Sequence, residues 1–473
     1  MGGTASAELF MSTPNTHFGA DEIGRILKNC KSIYFIGIGG INMSSLAHIS
    51  HKRGFVTGGS DRTPSALTAR LESCGIRINY SHDAANIHGY DAVVYTVAIS
   101  PDNPEYTEAL RLGLPCFSRA DFLGYVMTGY LRRIGVSGMH GKSTCTSMCA
   151  ATFIGAGVSP TVLSGAELDV MSGAYTVGEG EDFIFEACEY MDSFLDFNPT
   201  VAVILNIEMD HVDYFHSMEQ IHRSFAKYAS LTTESGFAVA NVDDENVLIA
   251  LKDYAGTLVS FGIDSEDALY RATDISCDRG RYSFNIKKRG EQFCRVALSV
   301  TGYHNIYNAL ACAAAADLCG ISPEDISRGL ASFCGAKRRM EYKGNLGGAE
   351  LYDDYGHHPT EVHTTLRGAK GLAGGRLVCV FQPHTYSRTK ALLEEFSLAF
   401  EYADKVLLAD IYAARERDDG SVSSRALAEK IGEKAVYCGA IEDTANALRE
   451  ELRDGDVAVV MGAGDIWKIF DIL

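Results

Sequence analysis

Short apolar runs that lead through glycine into helical patterns recur along the whole chain. The first is SIYFIGI, which begins at Ser32 and reads as a strand because strand-forming residues dominate it. After the glycines, apolar residues recur at helical spacing, at Met43, Leu46, Ala47 and Ile49. This order is typical of a nucleotide-binding α/β unit. The strand-like runs FVTGGS, DAVVYTVAI and LPCFS, with a helix over residues 65–74, extend the unit into a predicted domain at residues 1–128.

The alternation continues in a second unit, which opens with YLRRIGV and the glycine-rich GVSGMHGKST. Further strand candidates are DFIFEAC, VAVILNI and GFAVANV, and helical patterns between them indicate a largely parallel sheet. Between Ala268 and Val300 the pattern changes, since RYSFNIKKRG and QFCRVALSV alternate like antiparallel strands around a turn. A buried, alanine-rich helix, HNIYNALACAAAADLCG, then ends at Gly320. We place this domain at residues 129–335.

A third unit follows the basic turn CGAKRRMEY and is placed at residues 336–473. Its strand candidates are ELYDDYG, RLVCVFQP, KVLLADIY, KAVYC and DVAVVMGAG. Amphipathic helices separate them, and SRTKALLEEFSLAFEY reads as one such helix. The hydrophobic pattern therefore predicts three consecutive α/β domains.

Composition and charge exclude several classes of protein. The 473 residues carry a net charge of −19, which disfavours binding to nucleic acid because phosphate backbones select basic faces. No run of 18 apolar residues and no signal peptide is visible, so we expect no membrane insertion. The 13 cysteines lie singly, without a CxxC pair, as in a cytoplasmic protein with reduced thiols.

The stretch GVSGMHGKSTCTS is close to an ATP-binding phosphate loop but has unusual spacing. A Walker loop would place its first glycine at position 136, where Val136 stands, while Gly138 and Gly141 flank the loop. In such a loop the backbone N–H groups bind phosphate, Lys142 reaches the terminal phosphates and Ser143 ligates Mg²⁺. The same pattern also arises from a glycine turn that happens to contain a lysine.

Two acidic segments complete the predicted metal site. EACEYMDSF places Glu186 at the end of an apolar strand, where it can face the phosphate loop. NIEMDHVDYF ends another strand and offers Asn206, Glu208, Asp210, His211 and Asp213. Magnesium prefers oxygen ligands and tolerates one histidine. The alternative is that these acids belong to solvated loops.

A third polar cluster, YDDYGHHPTE, also lies at a strand end. His357 and His358, with Asp353 and Asp354, can bind zinc, act as a base or cap a helix that starts near residue 359. Adjacent histidines point in different directions, so this segment alone supports a zinc site poorly. FQPHTYSR adds His384 and Arg388 at the next strand end, and histidines at two neighbouring strand ends indicate a cleft.

The glycine turn after the first strand has two interpretations. Gly37 and Gly39 match a dinucleotide GxGxxG, but Asn42 stands where the third glycine belongs, and Asp61 is the acidic residue near the next strand. A redox cofactor or another nucleotide diphosphate fits this turn.

The ordered motifs of the chain resemble those of the Mur ligase family. The resemblance runs from Ser32 to Ile469 and rests on FIGIGGINMSSLA, GSDRTPSALTARL, GMHGKST, NIEMDHVDYF, GYHNIYNALA, AKRRMEY, DDYGHHPTE, FQPHTYSRTK and MGAGDIWKI. The phosphate loop of this family reads Gly-Thr-x-Gly-Lys-Ser/Thr, so the spacing found here is the family's own.

The resemblance implies a fold, a reaction and substrates. The fold has an N-terminal Rossmann-like UDP-binding domain, a central P-loop ATPase-like domain and a C-terminal Rossmann-like domain. The reaction is the joining of L-alanine to the carboxylate of UDP-N-acetylmuramate, with ATP and Mg²⁺, through an acyl phosphate. It is an early cytoplasmic step of peptidoglycan synthesis. A murein tripeptide-recycling ligase of the same family and a non-catalytic nucleotide-binding regulator are the alternatives, and the oligomeric state (monomer or homodimer) stays open.

The resemblance also implies roles for individual residues. The catalytic set is Lys142, Glu186, His211, Arg339 and Asp354, and the metal ligands are Ser143, Glu186 and His211. The ATP-binding set is Gly138, Met139, His140, Gly141, Lys142, Ser143, Thr144, His304, Asn305, Asn308, Arg339 and Asp354. The UDP-sugar set is Gly37, Gly39, Gly40, Asp61, Ser65 and Thr68, and the amino-acid set is Tyr355, His357, His384 and Arg388.

Some positions depart from the family's motifs. Met139 replaces the threonine of the loop, and Thr385 stands where many relatives have arginine. Cys188 and Met191 occupy positions that often hold aspartate. Sister ligases for later amino acids carry a carbamylated lysine where this chain has Phe225, which favours the alanine-adding branch.

Overall fold

The structure is a computed structural model that describes residues 18–171, 173–211, 214–232, 235–414, 416–418 and 420–473. The segment before residue 18 and the candidate ligand Asp213 lie outside these residues. Three sheets follow one another along the chain, each with helices packed against it. The predicted fold class, three consecutive α/β domains, is confirmed.

The N-terminal unit is built on a five-stranded parallel sheet. Its strands are β1 (Ser32–Ile36), β2 (Val56–Ser60), β3 (Arg77–Asn79), β4 (Ala92–Tyr95) and β5 (Cys116–Ser118), in the order β3-β2-β1-β4-β5. The helices are α1 (Ala20–Leu27), α2 (Ile41–Lys52), α3 (Ala66–Ser73), α4 (Pro104–Leu112) and α5 (Arg119–Met127), with a 3-10 turn at Ala84–Ile87. All five residues of β1 are buried, as expected for a strand covered on both faces.

The central unit contains a ten-stranded mixed sheet. Its strands are β6 (Arg132–Ser137), β7 (Thr161–Leu168), β8 (Gly173–Thr176), β9 (Asp182–Glu186), β10 (Val201–Ile204), β11 (Phe237–Asn241), β12 (Thr257–Gly262), β13 (Tyr270–Asp278), β14 (Arg281–Lys288) and β15 (Glu291–Thr301). They lie in the order β15-β14-β13-β12-β11-β10-β6-β9-β7-β8. The predicted antiparallel pair is β14–β15, and β13 joins it on the other side, also antiparallel. β7, β8, β12 and β13 were not predicted.

The helices of the central unit are α6 (Lys142–Gly155), α7 (Met218–Ser230), α8 (Glu245–Leu251), α9 (His304–Leu318) and α10 (Pro323–Ser332), with 3-10 turns at Asp169–Met171 and Tyr190–Asp196. The alanine-rich helix α9 is buried along most of its length, as its composition predicts. It packs against α6, the helix that follows the phosphate loop.

The C-terminal unit contains a six-stranded sheet. Its strands are β16 (Glu341–Leu346), β17 (Ala349–Asp354), β18 (Leu377–Phe381), β19 (Lys405–Ala409), β20 (Ala435–Gly439) and β21 (Val457–Met461), in the order β16-β17-β21-β18-β19-β20. The β16–β17 pair is antiparallel and the other pairs are parallel. The helices are α11 (Pro359–Lys370), α12 (Tyr386–Ala391), α13 (Leu393–Ala399), α14 (Ser424–Ile431), α15 (Ile441–Glu451) and α16 (Ile469–Ile472), with a 3-10 turn at Ile466–Lys468.

One helix prediction in this unit is wrong. SRTKALLEEFSLAFEY forms two helices, α12 and α13, because Leu392 leaves the helical conformation at φ −113° and ψ 26°. The break lets α13 bury Phe396 against Phe381 of β18, with the ring centroids 5.5 Å apart. Amphipathic spacing alone does not predict such a break, because the apolar pattern continues across it.

Strand direction positions the candidate site. β6 lies between β9 and β10 and runs parallel to both, so the loops that follow these three strands meet at one edge of the sheet. β17, β21 and β18 meet in the same way in the C-terminal unit. Within the residues that the structure describes, we find no helix with both the length and the apolar character needed to cross a bilayer.

Candidate active site

The loop between β6 and α6 has the backbone of a phosphate cradle. Gly138 and Gly141 have φ values of 137° and 84°, in the region that favours glycine. A Cβ at Gly141 would lie 2.8 Å from the amide oxygen of Asn308, and one at Gly138 would lie 3.0 Å from Leu205. The loop therefore needs both glycines for conformation and for close packing, although Val136 removes the usual first glycine.

Asn206, just after β10, holds this loop in place. Its carbonyl accepts the Met139 N–H at 3.3 Å and its amide oxygen accepts the His140 N–H at 2.8 Å. Its amide nitrogen donates to the His140 carbonyl at 3.0 Å. The cradle is thus preorganised through backbone groups, which explains why methionine can replace threonine at position 139 without altering these hydrogen bonds.

Lys142 lies in a buried charge cluster beside the loop. Its Nζ donates to the Gly138 and Met139 carbonyls at 2.6 and 3.1 Å and to Glu189 at 3.0 Å. Glu189 is fully buried and also contacts His211 Nε2 at 3.1 Å. Burial alone would lower the pKa of Lys142, but the charge of Glu189 outweighs it and holds that pKa above its usual value. Burial likewise opposes ionisation of Glu189, yet Lys142 and His211 keep its pKa below the usual range.

Ser143 and Glu186 form a second polar pair at the start of α6. Ser143 Oγ donates to Glu186 Oε2 at 2.8 Å, and the Gly165 N–H donates to the same oxygen at 2.9 Å. A hydroxyl and a carboxylate side by side are ligands that Mg²⁺ prefers, so this pair fits the implied metal. His211 contacts Glu189, so the structure divides the predicted metal ligands between two adjacent clusters.

A cavity of about 1050 Å³ opens between the central and C-terminal units. Its lining includes most of the predicted ATP-binding residues: His140, Gly141, Thr144, His304, Asn305, Asn308, Arg339 and Asp354. Gly138, Met139, Lys142 and Ser143 lie behind this lining, in the loop and the first turn of α6. The volume is ample for a nucleotide.

The central-unit wall of the cavity is fixed by the start of α9. Asn305 donates to the Thr301 carbonyl at 2.7 Å, and Asn308 donates to the Asn305 amide oxygen at 2.9 Å. Burial, aided by the charge of Arg339, lowers the pKa of His304 to about 4, so this histidine is neutral at pH 7. The wall presents neutral polar groups suited to a nucleoside.

The C-terminal wall carries charge. Both carboxylate oxygens of Asp354 accept backbone N–H groups, from Met340 and Gly356, at 2.9 and 2.8 Å. Burial nevertheless raises the pKa of Asp354 to about 6. Arg339 approaches Glu361 to 4.0 Å and lies over the Tyr355 ring at 5.3 Å. Arg339 lines the cavity, where its guanidinium can bind an anionic group.

The predicted amino-acid residues gather at the ends of β17 and β18. The His357 ring lies 5.5 Å from Tyr355 and 5.6 Å from His384. Arg388 contacts His384 Nδ1 at 3.3 Å and Asp210 of the central unit at 3.6 Å. The structure brings these four residues together and links them to the central unit through Asp210. Burial lowers the pKa of His357 to about 4.

Thr385 and Cys188 have local explanations, whereas nothing in the structure explains the methionine at position 191. Thr385 caps α12, because its Oγ1 accepts the Arg388 N–H at 3.4 Å, and a threonine there orients Arg388 without adding charge. Met191 is followed by Asp192, whose carboxylate accepts hydrogen bonds from Tyr214 and from Ser224. Burial raises the pKa of Cys188 to about 11, so its thiol is neutral.

The predicted UDP-sugar residues share the edge of the N-terminal sheet where β1 and β2 end. Asp61 accepts the Gly39 N–H at 2.8 Å, and Gly37 turns the chain with φ of 81°. Ser65 and Thr68 cap α3 reciprocally, at 2.8 and 3.2 Å. Gly40 precedes the first residue of α2. The helix N-terminus and the glycine backbone form a cradle suited to a diphosphate.

Sequence reasoning missed Glu189 and Glu361. Glu189 follows Glu186 by three residues in a segment already singled out, and Glu361 ends the DDYGHHPTE segment. Glu361 lies 3.4, 3.5 and 4.0 Å from His140, His357 and Arg339. Burial would raise the pKa of Glu361, but these groups outweigh burial and hold that pKa well below its usual range. The available signals were the position of Glu189 three residues after β9 and that of Glu361 at the third position of α11, where a helix-capping carboxylate is expected.

Comparison with known proteins gives consistent matches along the chain. Three family models match in order: "Mur ligase family, catalytic domain" at residues 32–131, "Mur ligase middle domain" at 136–316 and "Mur ligase, glutamate ligase domain" at 338–464. A protein of Acetivibrio thermocellus named UDP-N-acetylmuramate–L-alanine ligase is 45% identical over 443 residues, 93% of this chain and 94% of its own. A protein of Caldanaerobacter subterraneus with the same name is 45% identical over 94% of this chain and 97% of its own.

Two solved structures resemble the whole fold. The UDP-N-acetylmuramate–alanine ligase MurC of Thermotoga maritima superposes with a TM-score of 0.77 at 27% identity and covers 93% of this chain and 97% of its own. A murein peptide ligase of Psychrobacter arcticus gives a TM-score of 0.67 at 24% identity, with 94% and 98% covered. The latter likeness concerns the fold alone.

Proposed function

The chain belongs to the Mur ligase family, and we propose that it joins L-alanine to the carboxylate of UDP-N-acetylmuramate with hydrolysis of ATP to ADP and phosphate. The observation that carries the proposal is the 45% identity, over more than nine tenths of the chain, to proteins that bear the name of this activity. The domain boundaries after residues 128 and 335, the cytoplasmic location and the residue roles below belong to the same proposal.

ATP occupies the cavity between the central and C-terminal units. Its phosphates lie on the loop that ends at Gly141, where free N–H groups at the start of α6 and the charge of Lys142 favour an anion. The neutral amides of Asn305 and Asn308 contact the nucleoside, and Arg339 reaches the phosphates from the C-terminal side. Mg²⁺, held by Ser143 and Glu186, would neutralise phosphate charge when bound.

The first step activates the carboxylate of the sugar. A carboxylate oxygen attacks the γ-phosphorus, the bond from that phosphorus to the β-phosphate oxygen breaks, and ADP leaves. Lys142 stabilises the charge on the phosphoryl oxygens, and its contact with buried Glu189 keeps the ammonium positioned. UDP-N-acetylmuramate approaches from the N-terminal unit, where the glycine turn and the start of α2 accept the diphosphate, while Asp61 holds the Gly39 N–H.

The second step forms the amide bond. The neutral amine of L-alanine attacks the acyl carbon, the tetrahedral intermediate expels phosphate, and the extra proton on the nitrogen passes to the departing phosphate. Arg388 binds the alanine carboxylate through two parallel hydrogen bonds and so directs the amine at the acyl phosphate. His384 contacts this guanidinium, and burial lowers its pKa, so it adds no second positive charge at pH 7.

Phe225 supports the choice of alanine as the amine. The side chain is fully buried in α7 and packs edge-on against Phe194, with the ring centroids 5.3 Å apart. A carbamylated lysine at this position would need a polar surrounding for its charge. The apolar packing supports the expectation that this chain's reaction does not need carbon dioxide.

The experiment is an ADP-release assay with purified protein, ATP, Mg²⁺ and UDP-N-acetylmuramate. We expect turnover with L-alanine and none with a muropeptide tripeptide or without an amine. Turnover with the tripeptide alone would establish the recycling ligase in place of our proposal. No turnover with any amine, despite ATP binding, would establish the non-catalytic regulator.

A further inference from the structure

A cluster of three metal-binding side chains lies at the junction of the central and C-terminal units. His140 of the phosphate loop, Glu208 after β10 and His358 before α11 each place one ligand atom within 4.8 Å of the others. The sequence separates them by up to 218 positions, so only the packing of the two units brings them together. None of them belongs to the Ser143–Glu186 pair.

The donor set is that of a zinc site. His140 Nε2 lies 3.1 Å from Glu208 Oε2, and the His140 and His358 ring centroids are 5.0 Å apart. A tetrahedral zinc with bonds of about 2.0–2.2 Å separates its ligand atoms by roughly 3.3–3.5 Å, so the histidine rings need only a small rotation. We propose that His140, Glu208 and His358 bind Zn²⁺, or a similar divalent transition-metal ion, and so bridge the phosphate loop to the C-terminal unit.

Neighbouring groups already orient two of the three ligands. His140 Nδ1 lies 3.4 Å from the Glu361 carboxylate, which is an ion-pair distance without hydrogen-bond geometry, and a carboxylate on this side is the usual partner of a metal-binding histidine's second nitrogen. The other oxygen of Glu208 accepts a hydrogen bond from Thr360 Oγ1 at 2.6 Å. These contacts leave His140 Nε2 and one Glu208 oxygen 3.1 Å apart, where they hydrogen-bond to each other and would exchange that bond for bonds to the ion.

His358 provides an independent indication of a ligand. His358 is only 4% exposed, and its Nε2 has no hydrogen-bond partner among the residues that the structure describes. A buried polar atom without a partner is costly, and a metal bond removes that cost. Coordination through Nε2 places the ring proton on Nδ1, which gives up a long hydrogen bond from the Thr360 N–H, at 3.4 Å.

The ligand types separate this site from the magnesium pair. Two imidazoles and one carboxylate favour zinc, whereas a hydroxyl and a carboxylate favour magnesium. His140 and Glu208 also line the nucleotide cavity, so an ion bound here occupies one corner of that cavity and links the two units. The site stands on these contacts and does not depend on the ligase reaction.

Cobalt provides the direct test, because it replaces zinc in such sites and absorbs visible light. The chelator-treated full chain is titrated with Co²⁺, and Zn²⁺ binding is measured by calorimetry. We expect one Co²⁺ per chain, with the visible d–d absorption of a cobalt site of low symmetry. No sulfur-to-cobalt charge-transfer band should appear, since the cluster contains no cysteine. Zn²⁺ should displace the cobalt.

The key variant is His358→Asn, because asparagine can still cap α11 through its side-chain oxygen. We expect it to weaken Zn²⁺ binding by more than the roughly 10–100-fold cost of losing an outer-shell partner. Glu208→Gln should act likewise while it keeps the hydrogen bond from Thr360. The control is His363→Asn, on the exposed part of the same helix beside Glu401.

Equal Zn²⁺ affinity in His358→Asn and in the unaltered chain would overturn the proposal, as would a sulfur-to-cobalt band as the sole signal. Loss of binding in His363→Asn to the same extent as in His358→Asn would also overturn it. Circular dichroism of each variant shows whether it is folded, and Glu208→Gln decides the matter if His358→Asn is not.

Discussion

Replacing Lys142 by methionine should reveal how strongly the loop lysine is coupled to Glu189. Methionine keeps the length of the side chain but removes the charge, and it leaves Glu189 fully buried beside His211 alone. Removing one partner of a buried ion pair costs about 3–5 kcal/mol, and we expect the lower end because His211 remains at 3.1 Å from Glu189. In a domain of this size, a loss of about 3 kcal/mol lowers the melting temperature by roughly 6–12 °C.

The double variant Lys142→Met/Glu189→Gln separates the two consequences of this change. It removes the unpaired charge, so it should recover most of the melting temperature lost in Lys142→Met. Ligase turnover should stay at least about 100-fold below that of the unaltered chain in both variants, because the phosphoryl charge lacks its cation.

The assay combines thermal unfolding, followed by circular dichroism, with ADP release. Acid should reduce the penalty in Lys142→Met for two reasons. In the variant, protonation of Glu189 removes the unpaired buried charge, and in the unaltered chain it removes the stability that the depressed pKa of Glu189 contributes. If Lys142→Met and the double variant melted at the same temperature, the proposed coupling between Lys142 and Glu189 would be refuted. If Lys142→Met kept near-normal turnover, the assignment of the phosphate loop would be wrong.

Three further predictions concern other parts of the molecule. Arg388→Ala should raise the apparent KM for alanine more than that for ATP, and the control Arg425→Ala, at an exposed position of the same unit, should alter neither. A change in the KM for ATP alone would contradict the assignment of Arg388 to the amino acid. Activity should survive bicarbonate depletion because Phe225 cannot be carbamylated, and reversible inactivation would refute the alanine branch. In the chelator-treated, metal-free chain, Glu208 and Glu361 outweigh burial and raise the pKa of His140 to about 9, so stability should fall between pH 6.5 and 9, by at most about 3 kcal/mol, and His140→Gln should lack this fall in denaturant titrations.

Much of the fold could be read from the sequence because it depends on local pattern. β1, β9, β10, β18 and β21 are buried parallel strands, and their continuous apolar runs identify them. β16, by contrast, alternates exposed and half-buried positions at the edge of its sheet and carries little apolar signal, so it was not predicted. β7 lies inside its sheet but is continuously buried only over its first half, so its apolar run is short.

The sequence by itself determined the phosphate loop and the carboxylate at the end of β9, because a glycine turn, a lysine and a strand end are all local features. The tertiary structure alone decided which charges meet. Glu189 pairs with Lys142, and Glu361 faces His140 from another unit, because parallel strands bring distant loops to one edge and two units close over one cavity. Burial makes such charge pairs strong, and burial is a property of the packed molecule that no local pattern encodes.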